Sequence, residues 1–290
     1  MITEQFYIYK KEVDWSVLHE GFSIPVSIQI HFQSQIKRFL KRGESKIIEL
    51  VLGDDSYKAK LINQLFDDEK YSTHKDIIQI RYSPRSDLSK TLRAIFCSSY
   101  DYLQIKRREL LERERYRQIK MPEEMREFLV LYASDAEDKL CMECITCSDF
   151  SEMRSYLSSQ KIEEEDFEHA LNYRKTDPSA KIEHKPQIVK IRKLDKAIGE
   201  NLKLLYDHKC QICGENFGSR YGTDIAESHH IKPFISSLNN NADNILITCP
   251  NHHRTIHKIN PIFDASKLRF LYPNGFEESL RLNKHFERQG

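Results

Sequence analysis

No apolar run in the sequence approaches the roughly 20 residues that a helix needs to cross a bilayer, so no membrane is expected among its partners. The opening stretch, MITEQFYIYKKEVDW, lacks the charged start, apolar core and small-residue cleavage site of a secretory signal, and a cytoplasmic location is the expectation. Net charge is scarce as well: 45 basic against 44 acidic side chains leave +1. That balance excludes a bulk electrostatic attraction to polyanions, and any basic surface must be local. Internal repeats and low-complexity segments are also missing.

Present instead are 290 residues, comfortable for two domains with a core each; 39% are hydrophobic and 31% charged, the balance of a globular protein with a heavily charged surface. The seven cysteines are odd in number. In a reducing compartment, closely spaced ones act as metal ligands or buried thiols in preference to disulfides.

Residues 1–100 read as a compact mixed α/β unit. PVSIQIHF alternates Val26, Ile28, Ile30 and Phe32 as a half-buried strand does, and equally begins a helix running into QIKRFLKRG with Gly43 as its cap. SKIIELVLGDDSYKAKLIN reads as a hairpin turning at Gly53-Asp54-Asp55, DIIQIRYS as a strand, and Ser86-Asp87 as the cap of a helix over DLSKTLRAIF. The charged helical stretch YDYLQIKRRELLERERYRQIK breaks at Met121-Pro122, where Glu123-Glu124 open a fresh helix. EFLVLYAS and DKLCMECIT predict a second hairpin across Asp135–Asp138, followed by two acidic helices, SDFSEMRSYLSSQ and EEEDFEHALNYR. KTDPSAKIEHKPQIV, with its two prolines, reads as a linker. Helix resumes in RKLDKAIGENLKLLYDH, with Leu194, Ile198, Leu202 and Leu205 on one face.

Two basic clusters suit contact with phosphates: Lys37, Arg38, Lys41 and Arg42, and Arg81, Arg85, Lys90 and Arg93 with Tyr82 among them. Basic side chains neutralise phosphates and an aromatic ring stacks on a base; solvated faces of a highly charged chain are the alternative. The stretch Arg107–Arg117 mixes both signs and reads as solvated. Strand alternation sets Cys144 opposite Cys141 and Cys147, so these three read as buried thiols, and Cys97 as a core thiol.

Metal-ligand chemistry concentrates between Lys209 and His257, which hold three of the seven cysteines and five of the twelve histidines. Cys210-Gln-Ile-Cys213 has the spacing of a metal knuckle, and Cys249-Pro-Asn-His252 repeats it with one ligand changed. Together these four make a Cys3His structural zinc site. A saturated zinc leaves His229, His230, His253 and His257 for a second site. His253 and His257 are four apart and share a helix face, whereas the adjacent His229 and His230 face opposite ways in a strand.

The run E-S-H-H-I-K-P, then an asparagine, then C-P-N-H-H-R-x-x-H closely resembles the pattern of HNH nucleases with the ββα-metal fold, over roughly residues 190–260. The resemblance implies His230 as general base, and His229 and His253 as ligands of a catalytic divalent ion. It further implies His257 as the extra ligand of colicin-like members, and Asn244 as the brace that holds the loop and the base. The family's second knuckle commonly reads C-x2-C-H; here His252 replaces the second cysteine, and spacing assigns it to zinc. The implied chemistry is phosphodiester hydrolysis, in which a neutral imidazole takes a proton from water and the ion stabilises developing negative charge. Arg254 is a clamp for the scissile phosphate or a surface arginine, and Glu227 buttresses the hairpin. Mg²⁺, Mn²⁺, Ni²⁺ or Zn²⁺ suits an imidazole-rich catalytic site.

The expectation is therefore an α+β protein: a mixed α/β DNA-recognition domain over 1–175, a linker over 176–189, and a small ββα-metal HNH domain with structural zinc over 190–290. A nuclease module of this family makes few base contacts, so specificity falls to the sequence ahead of it. The expected function is a metal-dependent restriction endonuclease acting on double-stranded DNA with phosphorothioate linkages or methylated bases. A toxin or homing-type nuclease for unmodified DNA, and a zinc-stabilised DNA-binding protein without catalysis, are the alternatives; His230 with all three ligands argues against the last. One active site cuts one strand at a time, so double-strand cleavage implies a homodimer or two successive encounters.

Overall fold

Alternating apolar and polar stretches pair into one sheet in the first of two units, Met1–Asp149 and Phe150–Gly290. A computed structural model of the chain describes residues 6–37, 39–65, 76–110, 114, 118–134, 136–160, 163–172 and 186–286. In the first unit, strands β1 (Phe6–Glu12), β2 (Gly21–Ser23), β3 (Ser45–Leu52), β4 (Asp55–Asn63), β5 (Ile78–Arg81), β6 (Phe128–Ala133) and β7 (Lys139–Ile145) lie in the order β1-β6-β7-β3-β4-β5-β2. Only β3 beside β7 is parallel. Between β1 and β7, β6 is buried at every position, which is why FLVLYA is a continuous apolar run and not an alternation. The β3–β4 turn needs only Gly53 and Asp54, and Gly53 takes the positive φ of 62° that a tight hairpin demands.

Helices α1 (Trp15–His19), α2 (Gln29–Gln35), α3 (Asp87–Ile95) and α4 (Cys97–Glu109) complete this unit. Ser86 caps α3 by accepting from the Ser89 amide. A single core joins Leu18, Phe32, Leu50, Leu61, Ile80 and Phe96, each large side chain contributing about 1.5–3 kcal/mol over its exposed state. In α2 the helical period wins over the strand-like alternation: Gln29, Phe32 and Ile36 fall on one buried face, and buried Gln29 donates to the Ile24 and Asp76 carbonyls. The helix stops at Gln35, so Gly43 (φ 85°) serves the turn into β3 and caps no helix. Glu123-Glu124 open only a 3-10 turn, Glu123–Met125, because the apolar strand begins at Phe128. Beyond α4, residues 111–113 and 115–117 lie outside the described residues. Cys97 is exposed at the start of α4, contrary to a core thiol, and Cys147 begins a helix instead of extending β7.

The next elements are α5 (Cys147–Gln160), α6 (Glu164–Asn172) and α7 (Pro186–Leu205). An antiparallel pair follows, β8 (Glu227–His230) with β9 (Ile245–Thr248), the short α8 (Phe234–Ser237) lying between them in sequence. Helix α9 (Pro250–Ile259) comes next, begun by Pro250 and ended by Asn260 in the left-handed region. A small sheet of β10 (Ile262–Asp264), β11 (Arg269–Leu271) and β12 (Glu277–Ser279) closes the unit. Helix α6, ahead of residue 175, belongs to the second unit. Phe167 of α6 stacks on Phe234 at 4.9 Å, and Glu164 accepts from the Phe234 and Ile235 amides at 2.8 and 2.9 Å. Residues 173–185, which hold most of the proline-bearing stretch, lie outside the described residues. Helix α7 crosses β8 so closely that a Cβ on Gly199 would stand 3.0 Å from the Ser228 hydroxyl. Among the described residues no helix is long and apolar enough to cross a membrane.

Candidate metal centres and general base

Two clusters form on the β8–β9–α9 scaffold. In the first, Cys210 and Cys213 follow α7, Cys249 occupies the N-cap position of α9 and His252 its first turn. His252 Nδ1 lies 3.2 Å from Cys249 Sγ and 3.6 Å from Cys210 Sγ, and the four donor atoms all fall within 4.8 Å of one another. A tetrahedral zinc with about 2.3 Å bonds to sulfur sets its ligands roughly 3.5–3.8 Å apart, so these residues fit the ion. Glu278 Oε1, 3.4 Å from His252 Nε2, steers Nδ1 toward the thiols as outer partners of zinc histidines do. The hydrogen bond with Cys210, opposed by burial and helped by His252, pulls the Cys249 thiol down to about 3. Gln211 ties the knuckle to β9: its Oε1 accepts from the Ile247 amide at 2.8 Å and its Nε2 donates to the Leu282 carbonyl.

In the second cluster, β8 ends on His229 and His230, and one face of α9 presents His253 and His257 one turn apart. Their nitrogens converge on the carboxylate of Glu168 from α6. Its Oε2 lies 3.1 Å from His229 Nδ1 and 2.7 Å from Nε2 of both His253 and His257. Its Oε1 lies 3.0 Å from His230 Nδ1 and accepts from the His230 amide at 2.6 Å. Glu227 Oε2 lies 2.8 Å from His253 Nδ1 and orients the ring with Nε2 aimed inward at Glu168. Three imidazole nitrogens aimed at one point fit a divalent ion.

His230 is held at both nitrogens. Asp195, one helical turn before Gly199, places Oδ1 3.2 Å from Nε2, while Glu164 Oε1 and Glu168 Oε1 stand 3.2 and 3.0 Å from Nδ1. The ring is 2% exposed. Burial opposes its charge, yet the Asp195, Glu164 and Glu168 carboxylates outweigh it and hold His230 well above the ordinary imidazole value. For His253 burial again opposes, and Glu168 and Glu227 together raise it to about 9. Burial lowers His229. Glu168, despite complete burial, is held well below the usual carboxylate range by His229, His230 and His253.

Asn244 is buried beneath the loop that follows His230. Its Oδ1 accepts from the Lys232 amide at 2.8 Å, and its Nδ2 donates to the Lys232 and Asn239 carbonyls at 3.0 and 2.8 Å. Arg254 is exposed on α9, and Arg81 and Arg85 are exposed in the first unit. Tyr82 turns inward, its hydroxyl donating to the Val17 carbonyl and its ring packed on the core, which takes it away from base stacking. Arg93 donates to the Leu18 and Pro84 carbonyls and Arg42 pairs with Asp76, so these basic positions serve the fold; Arg38 lies outside the described residues.

A hairpin and helix focus three imidazoles and a fourth, carboxylate-held one beside a Cys3His knuckle, a ββα arrangement whose two clusters could each hold a metal ion. Residues 210–258 match the family model for HNH endonuclease, which supports a nuclease that uses a divalent metal and acts on DNA. No curated protein and no solved structure matches the chain. Glu164, Glu168 and Asp195 lie ahead of the matched segment, and sequence reasoning missed them. The i, i+4 spacing of Glu164 and Glu168 puts both on one helix face, and Asp195 interrupts the apolar face of Leu194, Ile198 and Leu202; those were the signals in the sequence.

Proposed function

We propose that this protein is a divalent-metal-dependent endonuclease that hydrolyses phosphodiester bonds of double-stranded DNA, with His230 as general base and His229, His253 and His257 as ligands of the ion. One juxtaposition carries the reading. The two oxygens of Glu168 connect His230 Nδ1 to the three metal-facing nitrogens, so base and ion site stand one carboxylate apart. Asp195 accepts from Nε2–H, which leaves the lone pair of neutral His230 on Nδ1, the nitrogen facing the ion site. An imidazolium clasped by Glu164 and Glu168 takes no proton, so turnover begins when both carboxylates withdraw and Nδ1 releases its proton to solvent. Water at that position then gives its proton to Nδ1 and attacks phosphorus, and the bond from phosphorus to the leaving oxygen breaks. When bound, a divalent ion supplies Lewis-acid stabilisation of charge on the phosphate and the leaving oxygen. Asn244 keeps the loop after the base in register, and Cys210, Cys213, Cys249 and His252 hold a zinc that secures the scaffold.

The finer reading is a restriction enzyme for DNA with phosphorothioate linkages or methylated bases. Its support is a separate folded unit, Met1–Asp149, ahead of the nuclease module, with Arg81 and Arg85 exposed to meet phosphates. Double-strand cleavage then calls for a homodimer or two encounters. The test is digestion of matched unmodified, methylated and phosphorothioate duplexes with Mg²⁺, Mn²⁺ or Ni²⁺. Cleavage is expected only with metal and preferentially of a modified duplex, and His230→Ala lowers it by about 10²–10⁴-fold with DNA binding intact. Equal cutting of all three duplexes removes the modification dependence; His230→Ala cutting at the parent rate removes the base.

A further inference from the structure

Helix α6 lies outside the segment that matches the nuclease family, yet it delivers the most enclosed side chain of the site. We propose that Glu168 is itself a protein ligand of the divalent ion, so that the metal centre is His3Glu, with its fourth arm supplied from α6. The inference rests on the metal site in the nuclease reading and adds a residue to it.

Geometry makes the case. His253 Nδ1 stands 2.8 Å from Glu227 Oε2, which turns its Nε2 to within 2.7 Å of Glu168 Oε2, and one donor atom each from Glu168, His229, His253 and His257 falls within 4.8 Å of the others. His257 Nε2 reaches the same oxygen at 2.7 Å and His229 Nδ1 at 3.1 Å. An ion with bonds of about 2.1 Å sets neighbouring ligands at right angles about 3.0 Å apart, the scale of these three separations. The Glu168 side chain is fully enclosed, and a buried carboxylate is tolerated only when paired or metal-bound. Glu168 also accepts from the His230 amide, while Glu164 ties the helix to α8 and Phe167 packs it on Phe234.

The test is calorimetric titration of the full-length, zinc-loaded protein with Mn²⁺, in the absence of DNA. Wild type is expected to take one Mn²⁺ and His257→Ala to lose it. Glu168→Gln, isosteric but uncharged, weakens Mn²⁺ binding by at least about tenfold, the scale on which even outer partners of metal ligands act, while retaining its zinc. Glu168→Gln that binds Mn²⁺ as tightly as wild type overturns the proposal, whatever its cleavage rate, and leaves the nuclease reading standing. Wild type that takes no Mn²⁺ removes the metal site and the nuclease reading together. Should Glu168→Gln lose its zinc, Glu168→Asp replaces it: drawing the carboxylate back by one methylene must also weaken Mn²⁺ binding, and unchanged affinity is again refutation.

Discussion

Asn244 offers a sharp test, because its two possible replacements separate geometry from polarity. Alanine removes three side-chain hydrogen bonds, one accepted from the Lys232 amide and two donated to the Lys232 and Asn239 carbonyls. At about 1 kcal/mol net for each, the loss is about 3 kcal/mol. Aspartate is the same shape and keeps the acceptor for Lys232. Its second oxygen, however, faces two carbonyl oxygens where the amide stood 3.0 and 2.8 Å away. Asn244→Asp must therefore cost at least as much as Asn244→Ala, although it is nearly isosteric. The amide orientation is fixed by the partners, since one N–H and two carbonyls leave a single sensible assignment. For a unit of this size about 3 kcal/mol lowers the melting transition by about 10 °C, read by circular dichroism with zinc content checked in parallel. Cleavage falls as well, because the loop directly after His230 loses its brace. If Asn244→Asp melts with the parent, the brace carries no energy and the reasoning fails.

The zinc cluster and the first unit give two further tests. Cys213→Ala, or a chelator applied to the parent, removes the ion that holds the knuckle to α9 and unfolds the second unit, because the binding free energy of a structural metal is folding free energy; metal analysis and circular dichroism follow it, and a parent-like melt without zinc contradicts the structural role. Gly21→Ala sets a Cβ 1.9 Å from the Ile80 carbonyl oxygen at a φ of 112°, which costs more than about 2 kcal/mol. The first unit's melting transition should drop while the protein keeps its zinc, and an unchanged transition refutes the β2–β5 contact.

Strands β3 to β7 and the β3–β4 and β6–β7 hairpins were legible because short-range rules govern them, as they do the cap of α3: Gly53-Asp54 demands a tight turn, and Ser86 meets an amide three residues on. The ambiguity over PVSIQIHF has a physical cause. Val26, Ile28, Ile30 and Phe32 alternate as in a strand, but Ile30 is exposed, and the face that matters runs through polar Gln29, which a hydrophobic count ignores. Tyr82 misled for the opposite reason: an aromatic among arginines looks like a stacking platform, and only the position of the Val17 carbonyl shows that the ring turns inward.

The candidate site divides along the same line. Its imidazoles and thiols could be sorted by spacing because one hairpin and one helix present nearly all of them, so sequence offsets map directly onto faces. The carboxylates could not, since Glu164 and Glu168 arrive on α6, more than fifty residues before β8, and Asp195 on α7. No offset rule connects them to His230; only tertiary packing does, through Phe167 on Phe234 and the close crossing at Gly199. An acidic helix read alone is a solvated face. Placed over four imidazoles, the same residues set which nitrogen of the base faces the ion site, keep the base occupied, and bring an anionic oxygen among the metal-facing nitrogens. The family pattern thus places the proposed ligands and base, while the carboxylates that contact them on α6 and α7 lie ahead of it. Calorimetry on Glu168→Gln reads that division directly, since it changes neither the hairpin nor α9.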